Sequence, residues 1–160
     1  MVLSAGLLMF RRRGALELFL VHPGGPFFRN KDEGTWSIPK GEVEPSEDPL
    51  ATARREFSEE TGITAPDDGY LALGDVLQKG GKRVTAWAFE SDCDPAAIES
   101  NTFEIEWPPR SGKTQSFPEV DRADFFSPDT ARVKLNPAQA ELITRLEDAL
   151  TRTAKKGTGT

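Results

Sequence analysis

Residues 41 to 63 read GEVEPSEDPLATARREFSEETGI. The second half of this stretch has the marks of a helix. Asp48 is placed as N-cap and Pro49 at the first helical position, where a missing N–H costs nothing. Leu50, Ala53 and Phe57 recur at helical spacing as a buried stripe, and Gly62 is placed to end the helix as a C-cap. This helix sets Glu56, Glu59 and Glu60 on nearly one face. Like charges three and four residues apart cost a few tenths of a kcal/mol per pair. The repulsion calls for a compensating cation.

The segment RREFSEE alone reads as a solvated, salt-bridged helix face, with Arg55 and Glu59 as an i,i+4 pair. The residues around it change that reading. Gly41, Glu47, Arg55, Glu56, Phe57, Glu59, Glu60, Gly62 and Ile63 fit G-x5-E-x7-R-E-U-x-E-E-x-G-U, where U is a bulky apolar residue. At average residue usage, a chance match of the seven non-U positions somewhere in the chain has a probability on the order of 10⁻⁶ or lower. The pattern is complete and resembles the Nudix box, so the chain resembles a Nudix hydrolase. The resemblance implies an α+β fold, a Nudix-type α/β/α sandwich with a mixed β-sheet. It also implies a divalent metal and cleavage of a nucleoside diphosphate linked to a further group.

Three carboxylates are hard oxygen donors, suited to Mg²⁺ or Mn²⁺ rather than to soft metals. Such ions offset the helix repulsion and let an anionic polyphosphate approach an acidic surface. By resemblance, Glu56, Glu59 and Glu60 are the metal ligands, with the Lys40 backbone carbonyl as a further oxygen. Arg55 is expected to orient the glutamates, and Glu47 to brace the loop, with Gly41 and Gly62 as structural positions. The general base varies in the family. Glu59 is the first candidate here and Glu119 the second, with Asp121 and Glu104 behind them.

Composition sets the outer bounds. The 160 residues suit one domain, expected over 1–152, with a flexible tail over 153–160. The formal net charge of −6 argues against stable binding to nucleic-acid backbone and against RNA decapping. The sole cysteine, Cys93, leaves no intrachain disulfide and fits a reducing, cytoplasmic setting. His22 is the sole histidine, which leaves Ser-His-Asp catalysis and imidazole-rich zinc sites short of partners. The opening MVLSAGLLMFRRR has its charges after a short apolar run, so it reads as a strand and not as a targeting signal or membrane span.

Strands are expected at residues 4 to 12, 16 to 22, 70 to 78 and 83 to 90, with shorter ones at FEIEW and ADFFS. Residues 23 to 34 are a loop by their glycine, proline and charge content. The stretch 91 to 118 has no clear pattern beyond FEIEW. A last helix is expected behind Asn136 and Pro137.

The substrate is expected to be a nucleotide-like small molecule. WSIPKG resembles diadenosine polyphosphate and (d)NTP branches of the family, and the chain as a whole resembles bacterial predicted NTP pyrophosphohydrolases. Lys40, Lys82 and Arg83 are phosphate-contact candidates. Trp36, Phe27 and Phe28 are candidates for stacking a base, against core or loop packing as the ordinary role of such rings. Arg110 and Lys113 either line the pocket or are solvated. A proline that ADP-ribose-cleaving members carry near residues 78 to 80 is missing, as is the tyrosine of many diadenosine polyphosphate hydrolases. An NTP, dNTP or dinucleoside polyphosphate is therefore the first expectation, with ADP-ribose or another nucleotide sugar as the alternative. A binding or regulatory module that lost catalysis is disfavoured, because every box glutamate is present.

Overall fold

The computed structural model describes residues 2–158, with side chains to Ala154. Strand β1 (Val2–Arg13) lies at the centre of a mixed sheet. It turns into β2 (Ala15–Pro23) through the Arg13–Ala15 pair. On its other side it runs parallel to β5 (Lys82–Glu90), in register from Val2↔Lys82 to Phe10↔Glu90. The short β3 (Lys40–Glu42) pairs antiparallel with the first half of β1, where β2 has not yet joined. With β4 (Leu71–Gln78) and β8 (Val120–Phe126) at the edges, the order is β4-β5-β1-β2-β8.

Side chains alternate across this sheet and both faces are covered, so the central strands read as continuous apolar runs. Ala5, Leu7, Met9, Phe19 and Val21 pack against Ala53 and Phe57 of helix α1 (Pro49–Thr61). Leu8, Phe10, Leu18 and Leu20 face the opposite layer, built from α2 (Pro128–Lys134) and α3 (Ala140–Thr158). There Ala131, Leu142, Ile143 and Leu146 are buried. Strands and helices thus form the α+β sandwich with a mixed sheet that the sequence led us to expect.

Helix α1 starts and stops as its sequence dictates. The Asp48 carboxylate accepts from Ala51 N–H, and Pro49 follows it. Gly62 closes the helix in the left-handed region (φ 75°), with its N–H on the Ser58 carbonyl. A Cβ there would also meet the Glu99 carbonyl at 2.9 Å, so residue 62 is fixed as glycine twice over. Phe57, fully buried between Phe19 and Phe89, anchors the helix to the sheet.

The structure adds elements that the pattern did not reveal, a partner strand for FEIEW and helix α2 among them. FEIEW forms β6 (Thr102–Glu106), and its partner is β7 (Thr114–Pro118), a separate two-stranded sheet. TQSFP is polar except for one ring, so it carries no apolar alternation to find. Helix α2 begins with Ser127 as N-cap and Pro128 at N1, but at seven residues it is too short to show a period. Asn136 caps a 3-10 turn, Pro137–Gln139, and α3 begins one residue later. Helix α3 runs through Thr158, across most of the segment expected as a tail; the last two residues of that segment lie outside the described residues. Among the described residues, no helix is long and apolar enough to cross a membrane.

Candidate active site

The acidic face of α1 lies against β3, and Glu119, the residue before β8, lies in its field. Gly41 meets Glu56 directly, since a Cβ on residue 41 would overlap the Glu56 carboxyl group. One residue earlier, the Lys40 N–H donates to Glu60 Oε2 at 2.9 Å. Two successive residues of β3 therefore receive two carboxylates one helical turn apart, Glu60 and Glu56. The short strand is fixed in turn by Leu7 N–H on the Pro39 carbonyl and Val43 N–H on the Leu3 carbonyl.

Arg55 resolves part of the repulsion foreseen from the sequence. Its guanidinium forks onto Glu47 through Nη2 (3.0 Å) and Nε (3.2 Å). The remaining nitrogen, Nη1, reaches Glu56 at 3.0 Å and Glu59 at 3.2 Å. Glu47 also accepts from Glu44 N–H, closing the turn that leads into the helix. One cation thus ties the loop to the helix and holds two of the three box carboxylates. Glu47 is kept below the usual carboxylate range, chiefly by its hydrogen bond from Arg55.

Glu60, Glu56 and Glu119 have moved the opposite way. Glu60 is 9% exposed, and burial, followed by the Glu56 charge, pushes it up to about 8. The Lys40 N–H offsets only part of this. Glu56 is raised first by burial and then by the Glu59 charge. Glu119 is raised by burial and by the same Glu59 charge, which places it in the field of the helix face. Proton affinity raised in this way reports a shortage of positive charge.

Glu119 arrives there through the backbone. Asn101 N–H donates to the Glu59 carbonyl at the end of α1, and Glu119 N–H donates to the Asn101 carbonyl. The Glu119 carbonyl accepts from Gly24 N–H, which ties the loop after β2 to the same point. Asn101 and Gly24 carry no motif, and no side-chain signal in the sequence marks them.

The remaining candidates lie elsewhere. Trp36 is 5% exposed and packs in the layer of α2 and α3, with His22 and Phe126 edge-on and its Nε1–H on Asp32. The structure gives it a core position rather than an open stacking face. Asp121 is engaged by the buried His22, whose Nδ1 is 2.8 Å from its carboxylate. Glu104 lies on β6. Arg83 pairs with Asp75 on the neighbouring strand at 3.2 Å. Lys82 lines a cavity of about 450 Å³ with Gln78, Lys79, Asn136 and Pro137. The Lys40 side chain is shifted down by burial, ahead of its attraction to Glu60.

Whether this donor set suits a divalent ion turns on chemistry and on arrangement. The chemistry fits: Glu56, Glu59 and Glu60 offer hard oxygens where positive charge is short. As the side chains stand, no group of three or more carboxylate, imidazole or thiolate residues converges on a metal position among the described residues. Arg55 accounts for this, because it draws Glu56 and Glu59 to itself, while Glu60 turns to the Lys40 N–H.

Comparison with known proteins agrees with the fold and the box. The model of the NUDIX domain matches residues 2–146. A pig (Sus scrofa) bis(5'-nucleosyl)-tetraphosphatase [asymmetrical] is 39% identical over 83 residues, which cover 48% of this chain and 50% of that protein. The chain thus matches about half the length of that relative. A Caenorhabditis elegans Ap4A hydrolase in a binary complex superposes with a TM-score of 0.64 at 23% identity, covering 94% of this chain and 98% of that one. The NUDIX domain of Shewanella oneidensis NrtR, solved with ADP ribose, gives 0.65 at 17% identity, covering 94% and 88%. At these identities the two structures speak for the fold. With the family model spanning nearly the whole chain and the box complete, the chain belongs to the Nudix family.

Proposed function

We propose that this chain is a divalent-metal-dependent Nudix pyrophosphohydrolase acting on an NTP, a dNTP or a dinucleoside polyphosphate. The observation that carries the reading is the packing of Glu56 against Gly41 and of Glu60 on the Lys40 N–H, with Glu119 close enough to feel the Glu59 charge. Such a constellation destabilises an unliganded helix face and is explained by a cationic occupant. Glu56, Glu59 and Glu60, with the Lys40 carbonyl, would hold Mg²⁺ or Mn²⁺. The ion supplies charge neutralisation for the phosphoanhydride and lowers the pKa of water.

The protein's own groups do the rest. Arg55 holds Glu56 and Glu59 on one side of the helix, and both must turn from it toward an occupant. Glu59 accepts the proton of the attacking water, with Glu119, already raised in proton affinity, as the alternative base. Lys40, Lys82 and Arg83 remain the candidates for phosphate contact; Arg83 must then leave or share Asp75. The reaction is hydrolysis of a phosphoric anhydride bond.

The substrate assignment draws on the pig relative, whose name specifies a dinucleoside tetraphosphate. ADP-ribose is the alternative, because the NrtR domain was solved with it. A panel of dNTPs, diadenosine tetraphosphate and ADP-ribose, incubated with Mg²⁺ or Mn²⁺ and read by product chromatography, decides between them. Turnover of the tetraphosphate or a dNTP above ADP-ribose supports the reading. Turnover of ADP-ribose alone replaces it with the alternative, and no turnover of any member favours a binding module.

A further inference from the structure

The β6–β7 hairpin plays no part in the box, yet it is joined to Glu119 without an intervening residue, since β7 ends at Pro118. The loop after β2 lies directly on this hairpin. A Cβ on Gly24 would overlap the Pro118 carbonyl, and one on Gly25 would meet the Phe103 ring at 2.8 Å. That close approach brings Phe27 to Trp107, edge to face, with ring centroids 5.5 Å apart and planes at 82°. Phe103 and Phe117 form a second ring pair on the hairpin, with centroids 6.2 Å apart.

The arrangement leaves Phe27 60% exposed and Phe28 partly exposed beside it. Cations are interleaved with these rings. The Lys31 ammonium lies 5.7 Å from the Phe28 ring, Arg29 is next in sequence, and Arg110 and Lys113 occupy the exposed hairpin turn. Large rings held in water on two converging segments are unfavourable for the isolated chain. Rings interleaved with cations are the combination that binds a base by its π-face and the attached phosphates by charge.

We propose that Phe27 and Trp107 form a seat for the nucleobase at the substrate's non-reacting end, at the turn end of the hairpin whose other end leads into Glu119. This rests on the hydrolase reading above and extends it to the substrate's non-reacting end. The occupant is a planar base because Phe27 stays 60% exposed beside Trp107, with cations close by in the same two segments. The loop that carries Phe27 is tied at Gly24 to the Glu119 carbonyl, and Glu119 in turn to Asn101 and Glu59, so the seat and the carboxylates lie at the two ends of one connected segment. Stacking reads no hydrogen-bond pattern, so the seat separates base-bearing from base-free phosphates and discriminates weakly among bases.

The test compares wild type with Phe27→Ala, Trp107→Ala and Trp107→Phe. Steady-state kinetics are run on diadenosine tetraphosphate, dATP, dCTP and base-free tripolyphosphate, and tryptophan emission is followed on titration with a non-hydrolysable nucleotide. The alanine variants are expected to raise KM about 10-fold for base-bearing substrates with kcat little changed, on the scale of a lost base stack. Trp107→Phe should restore most of the affinity, and nucleotide should quench an emission component absent from Trp107→Phe. Unchanged KM, or a parallel rise in KM for tripolyphosphate, overturns the seat while leaving the hydrolase reading standing. If wild type turns over nothing, the hydrolase reading fails and the quench alone decides: Trp107-dependent quenching supports the seat, and its absence overturns it. A concentration-dependent dimer dissolved by Phe27→Ala, without nucleotide quenching, assigns the patch to a second copy and also overturns it.

Discussion

The Glu56 carboxyl group fills the space that a side chain on residue 41 would need. Glycine is thus required at the start of the box for a contact fifteen positions downstream, not for an unusual backbone angle. Gly41→Ala should leave the fold nearly intact, because the clashing group is the free end of a flexible side chain. Glu56 must then turn away, and the Mg²⁺ concentration for half-maximal activity should rise about 10-fold or more, an effect of about 1.4 kcal/mol. Thermal melts and metal titrations on one preparation measure both, and an unchanged metal requirement contradicts the role given to Glu56.

Arg55 joins Glu47, Glu56 and Glu59 at 3.0–3.2 Å. Arg55→Ala removes the fork and leaves three carboxylates without it, a loss of about 1–2 kcal/mol for a partly exposed network. Arg55→Lys should recover little of this, since an ammonium cannot reproduce the planar fork. Chemical denaturation in chelator reads the loss; in Mg²⁺ the difference from wild type should narrow, because the ion takes over part of the neutralisation. Equal stability of all three proteins would count against the network.

Glu60 gives a pH dependence with a definite sign. Its ordinary carboxyl value of about 4.5 in the unfolded chain rises to about 8 in the fold. Between these values the folded protein binds more protons than the unfolded one, so stability falls as pH rises through that window. Above about pH 8 the penalty is constant, and below about pH 4.5 it is absent. Melting temperature in chelator should therefore decline from pH 5 to pH 8 more steeply than in Glu60→Gln, and saturating Mg²⁺ should flatten the decline. A slope unaffected by Glu60→Gln would contradict the burial argument.

Phe57 is the apolar counterweight to this acidic face. It is fully buried between Phe19 and Phe89. Phe57→Ala should cost about 3–5 kcal/mol of unfolding free energy. Equilibrium unfolding checks it; a loss below about 1 kcal/mol would mean that the helix is not anchored through this ring.

Much of this was legible because the signals were local. Asp48, Pro49 and Gly62 cap α1 as their chemistry requires, and the near-continuous apolar runs of β1 and β2 follow from their two covered faces. The box glutamates were found by spacing, and the resemblance assigned Arg55 to orienting them. Other features were hidden because they depend on distant partners. Strand β7 is held by β6 and by loop contacts, not by a buried stripe, and Asn101 acts through its backbone alone. Trp36 had the composition of a stacking residue, but its neighbours His22 and Phe126 come from other strands, and they enclose it. The sequence also could not show that Arg55 holds Glu56 and Glu59 while Glu60 turns to the Lys40 N–H, so that among the described residues no three such groups converge on a metal position.

The central claim is that the α1 carboxylates support metal-dependent hydrolysis, and Glu59→Gln tests it most directly. Turnover of diadenosine tetraphosphate or a dNTP is measured across a Mg²⁺ titration for wild type and variant, with circular dichroism to confirm the fold. The account predicts Mg²⁺-dependent activity in wild type and a loss of at least about 100-fold in kcat for a fully folded variant, the scale of a lost general base. Undiminished turnover in Glu59→Gln, or wild-type activity indifferent to chelator, would contradict it.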